Sequence, residues 1–356
     1  MTDHRFRLPF DIFLIGDTGA IAKHKPDPVM QMLRDQIMEN ANSAVVFLGD
    51  NAYPRGLPPE GNILRKEAEI ILNKHKEALD GYDGRVIFIS GNHDWNNGRR
   101  NGLDYLLRQE QYLGKLFDDR QVMLPKFGCP GPEVVDIAEG VVLVLINTQW
   151  WMQKGIRPVG PAFGCTVHSD EDFFSRLEQV FIENREKRIL VAGHAPIYSY
   201  AIHGGRFKLK HHLFPFTLYH RKAYVPVPVI GSLLPLYRKF IGAKEDIAHP
   251  RYRRLRHKLK NLFKQYPGII YAAGHEHNLQ YITKDGGHFI VSGAGSKLKY
   301  VIEEGRHLRF GLQAKGFFKL RFGNDGSVLV EAWAVDRKTS HGKKMYEKQL
   351  MQPAER

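Results

Sequence analysis

Apolar and polar residues alternate in long blocks along the first two-thirds of the chain. Short continuous apolar runs predict buried parallel strands, and the stretches between them have helical character. The predicted strands lie near residues 10–16, 44–49 and 85–90, and the predicted helices near 27–40, 63–79 and 102–117. Strands that alternate with helices are typical of βαβ units, so this part of the chain predicts a mainly parallel sheet.

The pattern changes towards the end of the chain. Further strands fit residues 141–147, 188–193 and 268–273, whereas after residue 279 short alternating strands such as 316–322 and 327–335 predict antiparallel pairing. Two sheets packed face to face accommodate both halves. We therefore expect an α/β fold, a four-layer αββα sandwich of two mixed sheets flanked by helices. Residues 1–335 form the predicted single domain, and 336–356 a polar, frayed C-terminal tail.

Five of the predicted strands end in a glycine-bearing turn. The turns are Gly16-Asp17-Thr18-Gly19, Gly49-Asp50-Asn51-Ala52-Tyr53, Gly91-Asn92-His93-Asp94, Val191-Ala192-Gly193-His194 and Gly274-His275-Glu276-His277. Because the carboxyl ends of parallel strands converge on one crevice, side chains far apart in the sequence are expected to meet there. Together they offer the ligands that a pair of metal ions requires.

The ligand types indicate which metals would bind. Carboxylate, amide and imidazole groups suit Fe, Zn, Mn or Mg, and a phenolate favours a hard trivalent ion, most naturally Fe(III). A structural zinc site would prefer cysteines, but the chain has only Cys129 and Cys165 and no C-x-x-C motif. Two ions about 3.5 to 4 Å apart bind a phosphoryl oxygen, acidify a water and stabilise the leaving oxygen. The expected reaction is phosphoester hydrolysis.

The ordered motifs resemble those of a known family. They look like the calcineurin-like metallophosphoesterases, and especially the purple acid phosphatase branch of the small, tartrate-resistant type. The resemblance covers roughly residues 10–300 and includes Gly274–Tyr281 and Ser292–Gly295. It also implies the αββα fold.

The resemblance further implies a dinuclear centre. The implied ligands of the Fe(III) site are Asp17, Tyr53 and His277, those of the divalent site (Fe, Zn or Mn) are Asn92, His194 and His275, and Asp50 bridges the two. His93 and His203 are similar to histidines that contact the phosphate and help the leaving group depart. Many relatives outside this branch carry a histidine ligand at the position of Gly19.

Each of these residues has an alternative structural interpretation. An Asp or Asn beside Gly is commonly a turn residue, and a Tyr after a turn commonly packs. Asp94 could orient the imidazole of His93, or it could cap the following helix. The nearby histidines His211, His212 and His220 are interpreted as surface or lid residues.

Almost all the excess positive charge lies in one segment. Residues 204–264 form an insertion relative to the small acid phosphatases, with 15 Lys and Arg against 2 acids, in a chain of net charge +14. The insertion also contains an apolar stretch, 224–237, whose prolines argue against one long helix. Three explanations stay open: a field that draws in anionic substrates, docking on an anionic membrane, or a self-packed subdomain with a solvated basic helix near 251–264.

The predicted activity is hydrolysis of a phosphate monoester by metal-activated hydroxide. The alternatives are a phosphodiesterase or pyrophosphohydrolase acting on a lipid-linked or nucleic-acid substrate, and a non-catalytic metal-binding scaffold. Nucleic acid is disfavoured as a partner because Gly19 replaces the histidine of the D-x-H motif.

The compartment and the assembly are only weakly constrained. The polar start of the chain and the lack of a long apolar run make the cytoplasm the default expectation, with export or membrane-surface association still open. Two free thiols are the simpler expectation for the cysteines, although one disulfide would also fit. The sequence leaves the oligomeric state open.

Overall fold

A computed structural model describes residues 6–119, 121–218, 222–227, 230–242, 246–302, 304–336, 339 and 341–352. His220 and parts of the insertion therefore lie outside the described residues. The strands of this part of the chain are β1 (Phe10–Ile15), β2 (Ser43–Phe47), β3 (Arg85–Phe88), β4 (Glu133–Ala138), β5 (Val141–Leu145), β6 (Arg188–Ala192), β7 (Ile270–Ala273), β8 (Leu279–Lys284), β9 (Gly287–Ser292), β10 (Leu308–Leu312), β11 (Gly316–Phe322), β12 (Val328–Val335) and β13 (Gly342–Met351). The helices are α1 (Pro28–Met38), α2 (Arg65–Ala78), α3 (Gly102–Leu116), α4 (Gln149–Met152), α5 (Asp170–Glu183), α6 (Leu209–Leu213), α7 (Leu233–Phe240) and α8 (Pro250–Gln265).

The strands form two mixed sheets. In the first, the order is β13-β12-β11-β1-β2-β3, with β1, β2 and β3 parallel and the other three strands antiparallel. In the second, the order is β10-β8-β9-β7-β6-β5-β4, with a parallel centre of β5, β6, β7 and β9. The predicted fold class is confirmed.

Alternating side chains explain the four layers. In β1, Ile12 and Leu14 enter the core between the sheets, whereas Phe13 and Ile15 point outward under α1, α2 and α3. The central strands of the second sheet alternate in the same way and pack outward against α4, α5 and α8. A strand buried on both faces reads as a continuous apolar run, which is why these strands were visible in the sequence.

The C-terminal segment differs from the prediction of a frayed tail. Residues Gly342–Met351 of this segment form β13, which pairs antiparallel with β12 at the edge of the first sheet. Its Lys- and Glu-rich side chains are mostly exposed, as is usual for an edge strand, and Tyr346 packs on Phe310 with ring centroids 4.8 Å apart. Backbone pairing therefore orders a segment whose composition resembles a tail.

The basic helix predicted near 251–264 exists as α8, but it is not merely solvated. Its apolar face joins the outer core of the second sheet through Tyr252, Leu255, Leu259 and Phe263. The segment that departs from the layered core is therefore shorter than 204–264 and ends before Pro250. In the apolar stretch 224–237, residues 224–227 are not helical, 230–232 form a 3-10 turn and the residues from 233 onward belong to α7, in agreement with the prediction from the prolines.

The two cysteines form a disulfide, so the expectation of two free thiols is wrong. Cys129 and Cys165 are bonded, with Cα atoms 5.6 Å apart, across 36 residues. Their spacing in the sequence could not show this proximity, because it arises where the loop before β4 meets the loop before α5. Within the described ranges, no helix is long and apolar enough to cross a bilayer.

Candidate metal centre and active site

The five glycine-bearing turns lie together at the carboxyl ends of β1, β2, β3, β6 and β7. Backbone hydrogen bonds join them: Asp17 N donates to Gly49 O (2.9 Å), and Gly274 N donates to His194 O (3.0 Å). Three of the predicted ligands have left-handed backbones, with φ of 59° at Asp17, 56° at Asp50 and 68° at His275. Such conformations persist only where the surroundings fix them, and they are frequent at functional sites.

Close packing explains why glycine occupies two positions in these turns. A Cβ atom at Gly274 would lie 2.8 Å from Asp17 Oδ2, so a side chain there would displace the carboxylate. At Gly19 a Cβ would lie 2.6 Å from Tyr53 N and 2.8 Å from Ala52. The turn that presents Tyr53 therefore excludes the histidine that D-x-H relatives carry at this position.

One group of predicted ligands surrounds the Tyr53 hydroxyl. The hydroxyl lies 3.0 Å from Asp17 Oδ1 and 3.2 Å from His277 Nε2. The same His277 nitrogen is 3.3 Å from Asp17 Oδ1. A carboxylate, a phenol and an imidazole thus direct their donor atoms at one small volume.

A second group surrounds the side-chain oxygen of Asn92. This Oδ1 lies 3.1 Å from His194 Nε2 and 3.0 Å from His275 Nδ1, and the two imidazole nitrogens are 3.2 Å apart. The other ring nitrogen of His194 faces Leu48 O at 2.7 Å. That contact fixes the ring so that Nε2 points into the centre.

Asp50 lies between the two groups. Its Oδ2 is 3.1 Å from the Tyr53 hydroxyl, and its Oδ1 is 3.5 Å from His194 Nε2. Asp50, His194 and His275 can place ligand atoms within 4.8 Å of one another. The fold thus brings all seven predicted ligands together, in the two predicted sets with the predicted bridge between them.

The electrostatics of the site fit bound cations. Asp17 and Asp50 are buried carboxylates, which require compensating positive charge. Burial acts to raise the pKa of Asp50, but the facing imidazoles of His93, His194 and His275 hold it below its ordinary value. Burial, followed by Asp17 and Asp50, raises the pKa of Tyr53 well above 10. Tyr53 would become a phenolate only beside a strongly charged cation, and Fe(III) is a cation of this kind.

His93 faces the open side of the centre. Its Nδ1 lies 2.7 Å from Pro54 O, and its Nε2 lies 3.8 Å from Asp50 Oδ2. Its side chain is 22% exposed, whereas that of Asp50 is 2% exposed. Its backbone N–H also donates to Asp50 Oδ1 (2.9 Å), which links the position of His93 to that of the predicted bridge.

His203 lies beside the second group of ligands, with its ring centroid 4.5 Å from that of His275. The insertion holds it there: His203 Nδ1 is 2.9 Å from Asp246 Oδ1, and Arg238 Nε donates to Asp246 Oδ2 (2.9 Å). All three side chains are buried. Burial, followed by His275 and nearby cations, places the pKa of His203 well below its ordinary value. The facing carboxylate favours the tautomer in which Nδ1–H donates to Asp246, and in that tautomer Nε2, on the opposite edge of the ring, is an acceptor. Sequence reasoning missed Asp246 and Arg238.

Glu276, between two predicted ligands, fixes the loop that carries His203. Its Oε1 accepts the backbone N–H groups of His203 (3.0 Å) and Gly204 (3.2 Å) and the Ser199 hydroxyl. Burial raises the pKa of Glu276 to about 7.

Asp94 performs neither of the roles predicted for it. Its carboxylate accepts the backbone N–H groups of Gly91 (2.7 Å), Asp50 (2.9 Å) and Asn51 (3.0 Å), and also the Gln109 amide (2.8 Å). Burial, followed by Asp50, raises its pKa to about 6. Asp94 therefore holds together the turns that follow β2 and β3, and it makes no contact with the ring of His93 among the described hydrogen bonds.

A small cavity adjoins the second group of ligands. Gln149, Met152, Ile247 and Tyr252 line it together with Asn92, His194 and His275. Within the described structure Gln149 Nε2 is buried and has no hydrogen-bond partner. On the other side of the centre, Lys297 Nζ lies 3.3 Å from the centroid of the Tyr53 ring. Neither Gln149 nor Lys297 belongs to a motif that the sequence reveals.

Similar folds occur in several solved structures. GAP50, the anchor in the inner membrane complex of Plasmodium, superposes with a TM-score of 0.58 and 15% identity, covering 96% of this chain and 88% of that chain. Purple acid phosphatase PPD1 from yellow lupin seeds gives a TM-score of 0.55 and 13% identity, with 95% of this chain covered but only 53% of the lupin chain. PhoD gives 0.53 and 10%, covering 96% and 72%. At these identities the likeness concerns the fold alone.

Comparison with curated proteins by sequence finds no match. Residues 10–279, however, match the family of calcineurin-like phosphoesterases, and this range contains every predicted metal ligand. The match and the convergence of Asp50, His194 and His275 together support a metal-dependent phosphoesterase. Because the matched range covers most of the chain, the protein belongs to the calcineurin-like phosphoesterase family.

Proposed function

We propose that the protein is a dinuclear-metal phosphohydrolase of the purple acid phosphatase branch, which hydrolyses phosphate monoesters. The observation that carries the proposal is the division of seven ligands into two groups joined by Asp50. The first group contains Asp17, Tyr53 and His277, and the second contains Asn92, His194 and His275. Fe(III) in the first group and a divalent ion (Fe, Zn or Mn) in the second fit this division of donors.

The ions, when bound, would acidify a water and bind the phosphoryl oxygens. The residues of the chain supply the remaining functions. His93, which faces the open side, contacts the phosphate. The neutral ring of His203 is held by Nδ1–H on Asp246, so its unprotonated Nε2 takes a proton from the attacking water and then gives it to the leaving oxygen. In the small adjoining cavity, Gln149 Nε2, which has no hydrogen-bond partner among the described residues, is available to a polar atom of the substrate.

Tyr53 provides a test of the branch. A phenolate bound to Fe(III) gives a visible charge-transfer colour, and the oxidised iron form of the wild-type protein is expected to show it. Tyr53→Phe should lose the band and keep the fold, because only the hydroxyl is removed. A Tyr53→Phe protein with an unchanged band would refute the ligand assignment, while leaving a dinuclear centre of other composition open.

The ester class needs a direct assay. Hydrolysis of p-nitrophenyl phosphate and of bis(p-nitrophenyl) phosphate by the metal-loaded protein compares a monoester with a diester that has the same leaving group. The proposal expects preference for the monoester. Preference for the diester would instead support the phosphodiesterase alternative.

A non-catalytic scaffold is the second alternative. One structural neighbour is described as an anchor in a membrane complex, which shows that the fold also occurs in such a role. A chain that had lost its chemistry would be expected to have lost ligands, and all seven are present in this chain. The intact set favours catalysis.

The disulfide bears on the compartment. Bonds such as Cys129–Cys165 form and persist in oxidising compartments and are rare in the cytosol. We therefore favour an exported or otherwise oxidising location over the cytoplasmic default. Alkylation of the protein isolated from its native source tests this location. Protection of both cysteines supports the proposal, and two reactive thiols contradict it.

A further inference from the structure

The insertion exposes an unusual amount of apolar surface. Eleven of the twenty large hydrophobic side chains that are exposed in the described part of the chain lie between residues 209 and 241. They are Leu209, Leu213, Phe216, Tyr224, Val225, Ile230, Leu233, Leu236, Tyr237, Phe240 and Ile241. Exposed apolar side chains that occur singly are ordinary, but a concentration of this kind marks an interaction site. We call these eleven side chains the apolar face.

Helix α7 shows how the apolar face is arranged. Leu233, Leu236, Tyr237 and Phe240 follow one another at helical spacing, so they share one side of the helix. Leu233 and Phe240 are 63% and 64% exposed. The opposite side of the helix contains the buried Arg238. Helix α6 lies against α7 and adds Leu209 and Leu213, which are also four positions apart.

Positive charge surrounds the apolar face. Arg206, Lys208, Lys210, Lys222 and Lys239 are exposed within or beside it. The only acids between residues 204 and 264 are Glu245, which lies outside the described residues, and Asp246, which is buried against Arg238. The surface therefore combines apolar and basic groups with almost no negative charge to offset them.

The combination of apolar and basic groups on this surface favours one kind of partner. A second copy of the chain would present the same positive charge, so the two faces would repel one another. An anionic lipid bilayer matches both components, because apolar side chains enter the boundary between headgroups and acyl chains while Lys and Arg contact the headgroups. Exposed Tyr and Phe side chains are also favoured at that boundary.

We infer that the apolar face docks the protein peripherally on an anionic lipid bilayer. The same helix links this surface to the centre, because Arg238 on its buried side holds Asp246, which holds His203. In addition, Lys239 lies against the backbone at Gly205, two residues after His203. Docking therefore holds the segment that positions His203 beside the membrane surface. The relevance of this placement to catalysis rests on the proposed function, whereas the docking itself does not.

Co-sedimentation with lipid vesicles tests the inference. The full-length protein is expected to sediment with vesicles of phosphatidylcholine and phosphatidylglycerol but not with phosphatidylcholine alone, and to be released by salt. The double variant Leu233→Ser and Phe240→Ser should lower the partition coefficient by at least about tenfold, since each substitution removes a large inserted side chain. Lys208→Gln and Lys210→Gln should each lower it about fivefold.

Ile63→Ser is the matched control. Ile63 is 91% exposed and lies outside the insertion, so its replacement should leave vesicle binding unchanged. Equal loss in the control and the double variant would overturn the inference, as would failure of the wild-type protein to bind anionic vesicles. A wild-type dimer that the double variant converts to monomers, seen by analytical ultracentrifugation, would assign the apolar face to a second copy instead.

The two proposals fail in different ways. None of the substituted residues contacts a predicted ligand, so hydrolysis of p-nitrophenyl phosphate should be the same in the wild type and in every variant. Absence of hydrolysis in all of them would contradict the proposed function and leave the docking result standing. Normal hydrolysis without vesicle binding would overturn the docking alone.

Discussion

Asp246→Asn is the substitution that isolates the role of the insertion at the active site. Asp246 accepts Nδ1–H of His203 and two N–H groups of Arg238. An asparagine can keep its oxygen on Arg238, because a guanidinium offers only donors. Asp246 Oδ1 accepts from Arg238 Nη2 as well as facing His203, so whichever oxygen the amide nitrogen replaces, Arg238 loses one acceptor and His203 loses the negative charge beside its Nδ1. The substitution is nearly isosteric and leaves every predicted metal ligand in place.

The contact between His203 and Asp246 determines how large a fall in kcat is expected for Asp246→Asn. The bond between His203 Nδ1 and Asp246 Oδ1 is 2.9 Å long, and both partners are buried. A hydrogen bond to a charged group contributes about 1.5 to 3 kcal/mol, and about 1.4 kcal/mol corresponds to a factor of ten. We therefore expect kcat to fall about 10- to 150-fold. KM should change little, since Asp246 acts through His203 and does not contact the substrate.

Steady-state kinetics on p-nitrophenyl phosphate should compare the wild type, Asp246→Asn, His203→Ala and the double variant. If Asp246 acts through His203, the double variant should be no slower than His203→Ala. Multiplicative losses, or full activity in Asp246→Asn, would refute the reasoning. Denaturant unfolding of each variant separates loss of the fold from loss of positioning.

Three further substitutions test other parts of the structure. Asp94→Asn should destabilise the protein by about 3 kcal/mol in urea unfolding, because its amide would point donors at the donors that Asp94 accepts; an unchanged midpoint would contradict this. Buried Glu331 is opposed by Lys319 at 2.8 Å, and despite burial this contact and those with Trp333 and Lys344 lower its pKa from 4.5 to about 2. The stability it contributes is present above pH 4.5 and is lost as the pH falls towards 2. Urea unfolding at several pH values should therefore show that the loss of unfolding free energy in Glu331→Gln becomes smaller as the pH falls from 4.5 towards 2. A loss that stays constant would exclude the ion pair as its cause. Cys129→Ser should lower the free energy of unfolding by roughly 4 kcal/mol, the entropic value for a loop of this length, and dithiothreitol should then have no further effect.

The fold and the convergence of the seven predicted ligands could be predicted from the sequence. The strands of the parallel centres are apolar on both faces and therefore appear as continuous runs, and the ligands follow them directly in glycine-bearing turns. Each turn alone is ambiguous, but five in order at strand ends place seven donor side chains at one crevice. The structure brings these seven together, and their roles as ligands stay a prediction until metal is measured.

The residues that support the centre could not be read in this way. Asp246 and Arg238 reach His203 from a segment that has no repeated pattern, and only the fold of the insertion brings them close. The partners of Asp94 are mainly backbone N–H groups, and their directions depend on the conformation of two turns. Strand β13 has too few apolar side chains to show the alternating pattern of a strand, because it lies at the exposed edge of a sheet and not in the core.

The central claim is that Asp50 joins two metal sites, and metal content measures it most directly. Purified wild-type protein, reconstituted with iron and zinc and then dialysed, should retain two ions per chain by elemental analysis. Asp50→Ala should retain fewer and lose hydrolysis, while the exposed Asp35→Ala should match the wild type. Fewer than two ions in the wild type, or full content and activity in Asp50→Ala, would contradict the account.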